Sequence, residues 1–305
     1  MSEAKIDLSA IVKAFGPKFL SDEQIARLTN GRADPAVTLH SALQKLRGED
    51  RIRNWEGTLG KWVLFPHSCG VKFWLRLGDT VGVGILRDRR DDPATKFLLS
   101  RLTKGGVFFD FGANHGWFTM RAANAYRGLG GGSVFAYEPQ DELFQHLTKS
   151  IAENGLDDIA TLTQVALGDE NKSVSMTSSL LNSGGAQVIL APREDAVRVP
   201  MRRFDEIVPD IERVDCMKID IEGAEPRFFT GAQRFIETFH PVIYCEINQR
   251  KLRGLSGIDA DAFVRQVESF GYSSFTLSNY AELNPFTAYN DVNDPAKVFN
   301  LVFQM

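Results

Sequence analysis

The chain has 305 residues, with 35 basic and 39 acidic side chains and a formal net charge of −4. That length suits one large domain or two modest ones, and the slight acidity speaks against a nucleic-acid binder working through bulk positive charge. With 43% apolar and 24% charged residues, the composition is that of a folded globular chain rather than a disordered one.

No run approaches the ~18 apolar residues needed to cross a bilayer. The polar, acidic start MSEAKIDLSA lacks the basic end and apolar core of a secretory leader, so a cytoplasmic location is expected. Three widely spaced cysteines, Cys69, Cys216 and Cys245, form no CxxC pair and no disulfide framework. The last two sit in apolar runs and read as buried small hydrophobes.

In chain order, Ser21-Asp22-Glu23-Gln24 is a capping box opening a short helix. Asp34-Pro35 places a cap and a first-turn proline ahead of a helix near 35–47. Lys61–Phe65, Val71–Leu77 and Val81–Leu86 then read as a small β-meander, rich in β-branched and aromatic residues. Trp55, Trp62 and Trp74 in this region fit core packing better than sugar stacking. Pro93 starts a helix toward Leu102. These features set residues 1–94 apart as an α+β head of substrate-binding or association character, with the main domain over 95–305.

From about 105 the pattern alternates regularly. Strands are expected at Val107–Phe111, Val134–Glu138, Thr161–Leu167, Val214–Asp220 and Pro241–Ile247. Helices are expected at Trp117–Tyr126, Asp141–Asn154, Arg227–Glu237 and Asp259–Phe270. Strands near Ser274–Leu277 and Val298–Phe303 follow, the last as an antiparallel partner. Apolar strands alternating with helices imply an α/β fold with a parallel sheet covered on both faces. A strand-like insertion at 172–201 is expected to form a flap over the acceptor, with Asn182–Gly185 at its hinge.

Ligands in such sheets bind beyond the carboxyl ends of the strands. The first strand ends Asp110-Phe111-Gly112-Ala113-Asn114-His115-Gly116. This spacing is not the GxGxxG of a dinucleotide loop, and Asp110 would repel a phosphate. An acid there suits a ligand with positive charge and donors, such as the amino end of S-adenosylmethionine. Glu138-Pro139 ends the second strand, where a carboxylate can accept both hydroxyls of a ribose. The third ends Ala166-Leu167-Gly168-Asp169, whose main chain can meet an adenine edge; Asp169 either helps or caps a turn. The fourth ends Lys218-Ile219-Asp220-Ile221-Glu222-Gly223-Ala224-Glu225, a lysine and acids that are costly to bury unless paired. Glu246 falls beside it.

Together these motifs closely resemble the FkbM-type S-adenosylmethionine-dependent methyltransferases, over roughly residues 95–250. Asn182-Ser183-Gly184-Gly185 and Arg203-Phe204-Asp205-Glu206 resemble that family as well. The resemblance implies a class I methyltransferase (Rossmann-like) seven-strand sheet and methyl transfer to oxygen. Family acceptors include sugar hydroxyls of glycans and glycolipids and hydroxyls of polyketide-like metabolites. Asn114 stands where class I loops often have glycine, His115 where the family more often has an apolar residue, and Pro226 directly after the acidic motif is less usual.

The expected cofactor contacts are Asp110, Gly112, Asn114, Gly116, Glu138, Pro139, Ala166 and Asp220. An alcohol acceptor needs a base, and Asp220, Glu222 and His115 are the candidates, with Glu246 nearby. Asp220, Glu222 and Glu246 offer oxygen ligands that suit magnesium, but no dedicated metal motif appears and no metal is expected. The partner is a small-molecule or glycan acceptor. A dehydrogenase is disfavoured by the loop spacing, and a non-catalytic relative by the intact strand-end acids.

Overall fold

The computed structural model describes residues 60–76, 79–86, 92–177, 182–190, 196–287 and 298–305. The helices expected near 21 and at 35–47, and Trp55, lie outside the described residues. The chain divides into two compact units, residues 1–89 with 180–182, and the remainder.

In the first unit, β1 (Trp62–Pro66) and β2 (Lys72–Arg76) form an antiparallel hairpin with Leu64 opposite Trp74. Phe65, Phe73, Trp74 and Leu75 are buried, in keeping with the core reading for Trp74, whereas Trp62 is half-buried. Val81–Leu86, expected as a third strand, is instead part of helix α1 (Thr80–Leu86). A buried pair decides this. Arg76 bonds Asp79 at 2.8 Å, and the other Asp79 oxygen accepts the Val81 N–H at 2.9 Å. That cap starts a helix despite the β-branched alternation.

In the second unit, α2 (Pro93–Arg101) leads into β3 (Val107–Phe111), α3 (Trp117–Leu129), β4 (Ser133–Tyr137), α4 (Asp141–Glu153) and β5 (Ala160–Thr163). Next come β6 (Ala166–Gly168), β7 (Lys172–Met176), β8 (Val188–Ile189), β9 (Val197–Arg203) and β10 (Cys216–Ile219). Helices α5 (Glu225–Gly231) and α6 (Gln233–Phe239) precede β11 (Val242–Asn248), and α7 (Ala260–Glu268) precedes β12 (Ser273–Leu277), β13 (Leu283–Pro285) and β14 (Val298–Gln304).

The main sheet runs β13-β12-β14-β11-β10-β3-β4-β5. Its centre is parallel, and β14 lies antiparallel between β11 and β12. This is the class I methyltransferase order, with β13 added as an eighth strand at the edge beyond the seven expected. The order reverses between β3 and β10, which places the ligand crevice at their carboxyl ends. All five β3 residues are buried, as a strand covered on both faces requires. Its Phe109 and Phe111 interlock with Phe204, Phe228 and Phe235, with ring centroids from 4.6 Å (Phe111–Phe228) to 5.9 Å (Phe204–Phe228). Such pairs add about 0.5–1.5 kcal/mol each beyond the area they bury.

Two expected elements are split. The single strand at Thr161–Leu167 breaks after Thr163: β5 pairs with β4, whereas β6 joins a second sheet, β6-β9-β7-β8. Helix α5 packs so closely there that a Cβ on Gly231 would lie 1.9 Å from the Gly168 carbonyl. The helix expected over Arg227–Glu237 breaks at Ala232. Asp205 accepts the N–H groups of Arg234 and Phe235 at 3.0 and 2.9 Å and so caps a fresh start. The insertion at 172–201 is therefore the body of the second sheet, with a 3-10 turn at Ser183–Gly185.

Candidate active site

Asp110 leaves β3 facing Lys218 of β10, its register partner. It is 0% exposed. One oxygen accepts the Thr119 N–H at 3.0 Å and the Thr119 hydroxyl at 2.7 Å; the other lies 3.4 Å from the Lys218 ammonium. Helix α3 begins at Gly116, which has no side chain to cap it, and Asp110 supplies the cap from the strand. Asp110, expected as a cofactor contact, also fixes the helix behind the loop and the lysine beside it.

Lys218 also donates to the Gly112 carbonyl at 2.7 Å and lies 3.8 Å from Asp220. Burial pulls its pKa down, but the carboxylates of Asp110, Asp220 and Glu246 outweigh that and hold it above the usual lysine value. The ammonium thus ties two strand ends to the turn between them.

That turn is closely determined. Gly112 and Ala113 both donate to the Tyr137 carbonyl at 3.0 Å. Gly112 has φ 83°, and a Cβ there would lie 1.9 Å from the Asp220 carbonyl, so only glycine fits. Asn114 has φ 54°, a left-handed conformation that asparagine accepts better than most residues. Its side-chain oxygen accepts the His115 N–H at 2.9 Å and the Ser183 hydroxyl at 3.0 Å. This accounts for asparagine in place of a middle glycine.

Glu138 sits under the turn, 2% exposed. One oxygen accepts the Asn114 N–H and the other the Gln140 N–H, both at 2.8 Å. Burial pushes its pKa up to about 7, against the pull of those hydrogen bonds. Pro139 is half-buried beside it. Gln140 also donates to the Ser183 carbonyl at 3.2 Å, so the Ser183–Gly185 turn is held to both strand ends. The sequence places Ser183 in the hinge and in a stretch that resembles the family; its partners are too distant in the chain to be seen there.

Ala166 and Asp169 belong to the second sheet's end, not to the third strand of the main sheet. Asp169 receives both of its 2.9 Å contacts from Arg227, an ion pair between elements. Ala166 is buried in the second sheet's core.

After β10 the chain does not stay extended. Glu222 has φ 61°, and Glu225, buried beneath, accepts the N–H groups of Ile221 and Gly223 at 3.0 and 2.9 Å. Burial raises the Glu225 pKa to about 7. The resulting turn points the Glu222 carboxylate to Lys251, with which it pairs. Asp220 keeps about a third of its side chain exposed (33%). His115 is 2% exposed. Of the three candidate bases Asp220 is the most exposed, Glu222 keeping 15%. Glu246 lies beside it, its pKa raised well above the carboxylate range by burial and by the Asp220 charge.

Asp220, Glu222 and Glu246 each bring an oxygen within 4.8 Å of the others. Hard oxygen donors of this kind suit magnesium, but here Lys218 and Lys251 already offset the charge from within the protein.

The sequence matches the Methyltransferase FkbM domain over residues 110–274, a span that contains every strand end just described except the antiparallel edge. The chain belongs to the FkbM methyltransferase family. No curated protein matches it. Among solved structures, the methyltransferase FkbM from Methylobacillus flagellatus KT is similar at 15% identity, with a TM-score of 0.43. That match covers 99% of this chain and 61% of the other, so this chain spans less than two thirds of that protein's length. An O-methyltransferase from Bacillus cereus in complex with SAH is similar at 14% identity over 70% of this chain and 81% of its own, TM-score 0.38. A further likeness is to the tRNA m1G37 methyltransferase of M. jannaschii, at 11% identity over 80% and 54%, TM-score 0.39. The domain match, not these distant likenesses, decides the family.

The methyl donor of this FkbM methyltransferase is S-adenosylmethionine, and the donor set fits it. Glu138 offers acceptors for hydroxyls, and the glycine turn lets backbone approach closely. Among the described residues no helix is long and apolar enough to cross a membrane.

Proposed function

We propose that the enzyme is an O-methyltransferase acting on a hydroxyl of a sugar, glycan or glycolipid. The observation that carries this is the meeting of Glu138, the Gly112–Gly116 turn and Asp220 at the point where the strand order reverses. Bound S-adenosylmethionine supplies an electrophilic methyl: as the acceptor O–C bond forms, the C–S bond breaks and sulfur keeps the electron pair. Glu138 holds the ribose hydroxyls, the turn's backbone lies against the donor, and Asp220 takes the acceptor's proton at a carboxylate oxygen. Lys218 keeps Asp220 in place from behind. Three cysteines without disulfides support a cytoplasmic setting. We assign residues 1–94 to acceptor binding or association.

Glu138→Ala is expected to weaken S-adenosylmethionine binding by about 1.5–3 kcal/mol, the worth of hydrogen bonds to a charged group. Titration calorimetry reads this directly, and an unchanged affinity removes Glu138 from the site.

The raised pKa adds a pH signature. An acid at about 7 when folded, against ~4.3 when unfolded, contributes stability that is complete below the unfolded value and is lost as pH rises through 7. Donor binding runs the other way, because ribose hydroxyls donate best to the ionised carboxylate. Affinity is therefore expected to rise from pH 6 to 8 in the wild type and to stay flat in Glu138→Gln. A parallel rise in both proteins would assign the titration elsewhere.

A further inference from the structure

A cavity of about 580 Å³ opens between the second sheet and the helical turns that follow β11. That volume is in the range of small-molecule sites. On one side it is walled by Val188, Ile189 and Leu190, and on the other by Leu255. Lys251 and Gln187 close the end nearest the strand-end acids: Lys251 pairs with Glu222, and the Gln187 amide donates to the Glu222 carbonyl at 3.3 Å. The cavity therefore adjoins the turn that carries Asp220.

Its charge is one-sided. Among the described residues the lining holds two cations, Arg250 and Lys251, and no carboxylate. Lys251 is neutralised by Glu222. Arg250 is exposed and has no ion-pair partner among the described residues. A guanidinium stays charged at every accessible pH, and its planar fork matches a carboxylate or phosphate two bonds at a time. On a chain of net charge −4, such a local cation is what an anionic ligand needs. The floor is a π-helical turn, Leu252–Ser256, a conformation frequent at functional sites. Gly254 within it faces open space, with nothing within 4 Å of a Cβ placed there.

We propose that this cavity binds the acceptor and that the acceptor carries an anionic group, carboxylate or phosphate, held by Arg250, with its apolar face or aglycone against Val188–Leu190 and Leu255. The inference rests on the methyltransferase reading above and adds the acceptor's class to it. A uronate and a sugar phosphate share this chemistry.

The test uses three glycosides that differ in one group: 4-nitrophenyl β-glucoside, the corresponding glucuronide, and the glucoside 6-phosphate. Each is titrated calorimetrically into the full-length protein saturated with S-adenosylhomocysteine. Both anionic glycosides are expected to bind at least tenfold more tightly than the neutral one, and their ratio tells carboxylate from phosphate. Arg250→Gln is expected to abolish that preference, and Gly254→Phe, which fills open space rather than displacing backbone, to abolish binding of all three. Equal binding of neutral and anionic probes, a preference that survives Arg250→Gln, or no binding of any probe at millimolar concentration overturns the proposal. S-adenosylhomocysteine titrated alone reports on the donor site separately. A wild-type protein that ignores it overturns the methyl-donor reading, while an Arg250-dependent charge preference measured without it would still sustain the cavity's specificity.

Discussion

Lys218→Met is expected to destabilise the protein by about 3–5 kcal/mol, the cost of leaving a buried charge without its partner. The ammonium sits 3.4 Å from an Asp110 carboxylate that has no exposed surface. With methionine in its place, Asp110 keeps its bonds from Thr119 but faces an apolar thioether on the other side. The Gly112 carbonyl loses its 2.7 Å donor as well. Urea unfolding measures the loss. The double variant Lys218→Met, Asp110→Asn removes both charges and is expected to regain a large part of it, since paired residues do not add independently. A single variant as stable as the wild type would mean that Lys218 is not the counter-ion of the strand ends.

Asp220→Asn is expected to lower turnover by 10²–10⁴-fold, the usual contribution of a positioned base, while S-adenosylmethionine still binds. Asparagine keeps the shape and one acceptor oxygen, so the Lys218 contact and the turn survive. What is lost is the ability to take the acceptor's proton. Burial, the larger cause of the raised Glu246 pKa, remains in this variant, while the part due to the Asp220 charge is removed with it. Comparing kcat with the calorimetric donor affinity separates the two roles. Full activity would eliminate Asp220 as base, and a matching loss of donor affinity would make it a binding residue instead.

The parts of this molecule legible in the sequence are those governed by local pattern. Runs such as Val107–Phe111 and Cys216–Ile219 are apolar apart from the paired Asp110 and Lys218 because both faces are covered, and their ends are marked by Gly112 and by the acids after Lys218. Glu138 was found in the same way, as a polar residue at the close of an apolar run. What stayed hidden depends on partners far along the chain. Val81–Leu86 is helical because Asp79 is fixed by Arg76. The helix after Pro226 restarts because Asp205 reaches it from 29 residues away. The strand after Ala160 changes sheets at Gln164, where no glycine or proline announces it. Asp110 reads as a ligand contact from its position, and its bonds to Thr119 and Lys218 become visible only in the structure. Glu222 reads as an extension of β10, because nothing local reveals the turn that sends it to Lys251. Arg250 and Gln187 carry no motif and gain meaning only from the cavity between them.

The contact between Gly112 and the Asp220 carbonyl has a consequence for precision. Two main chains touch there without an intervening side chain, so no rotamer stands between the glycine turn and the strand end that carries Asp220. A misplacement on the order of 1 Å can cost a hundredfold in rate. This enzyme sets its spacing with peptide geometry, the stiffest ruler a polypeptide has.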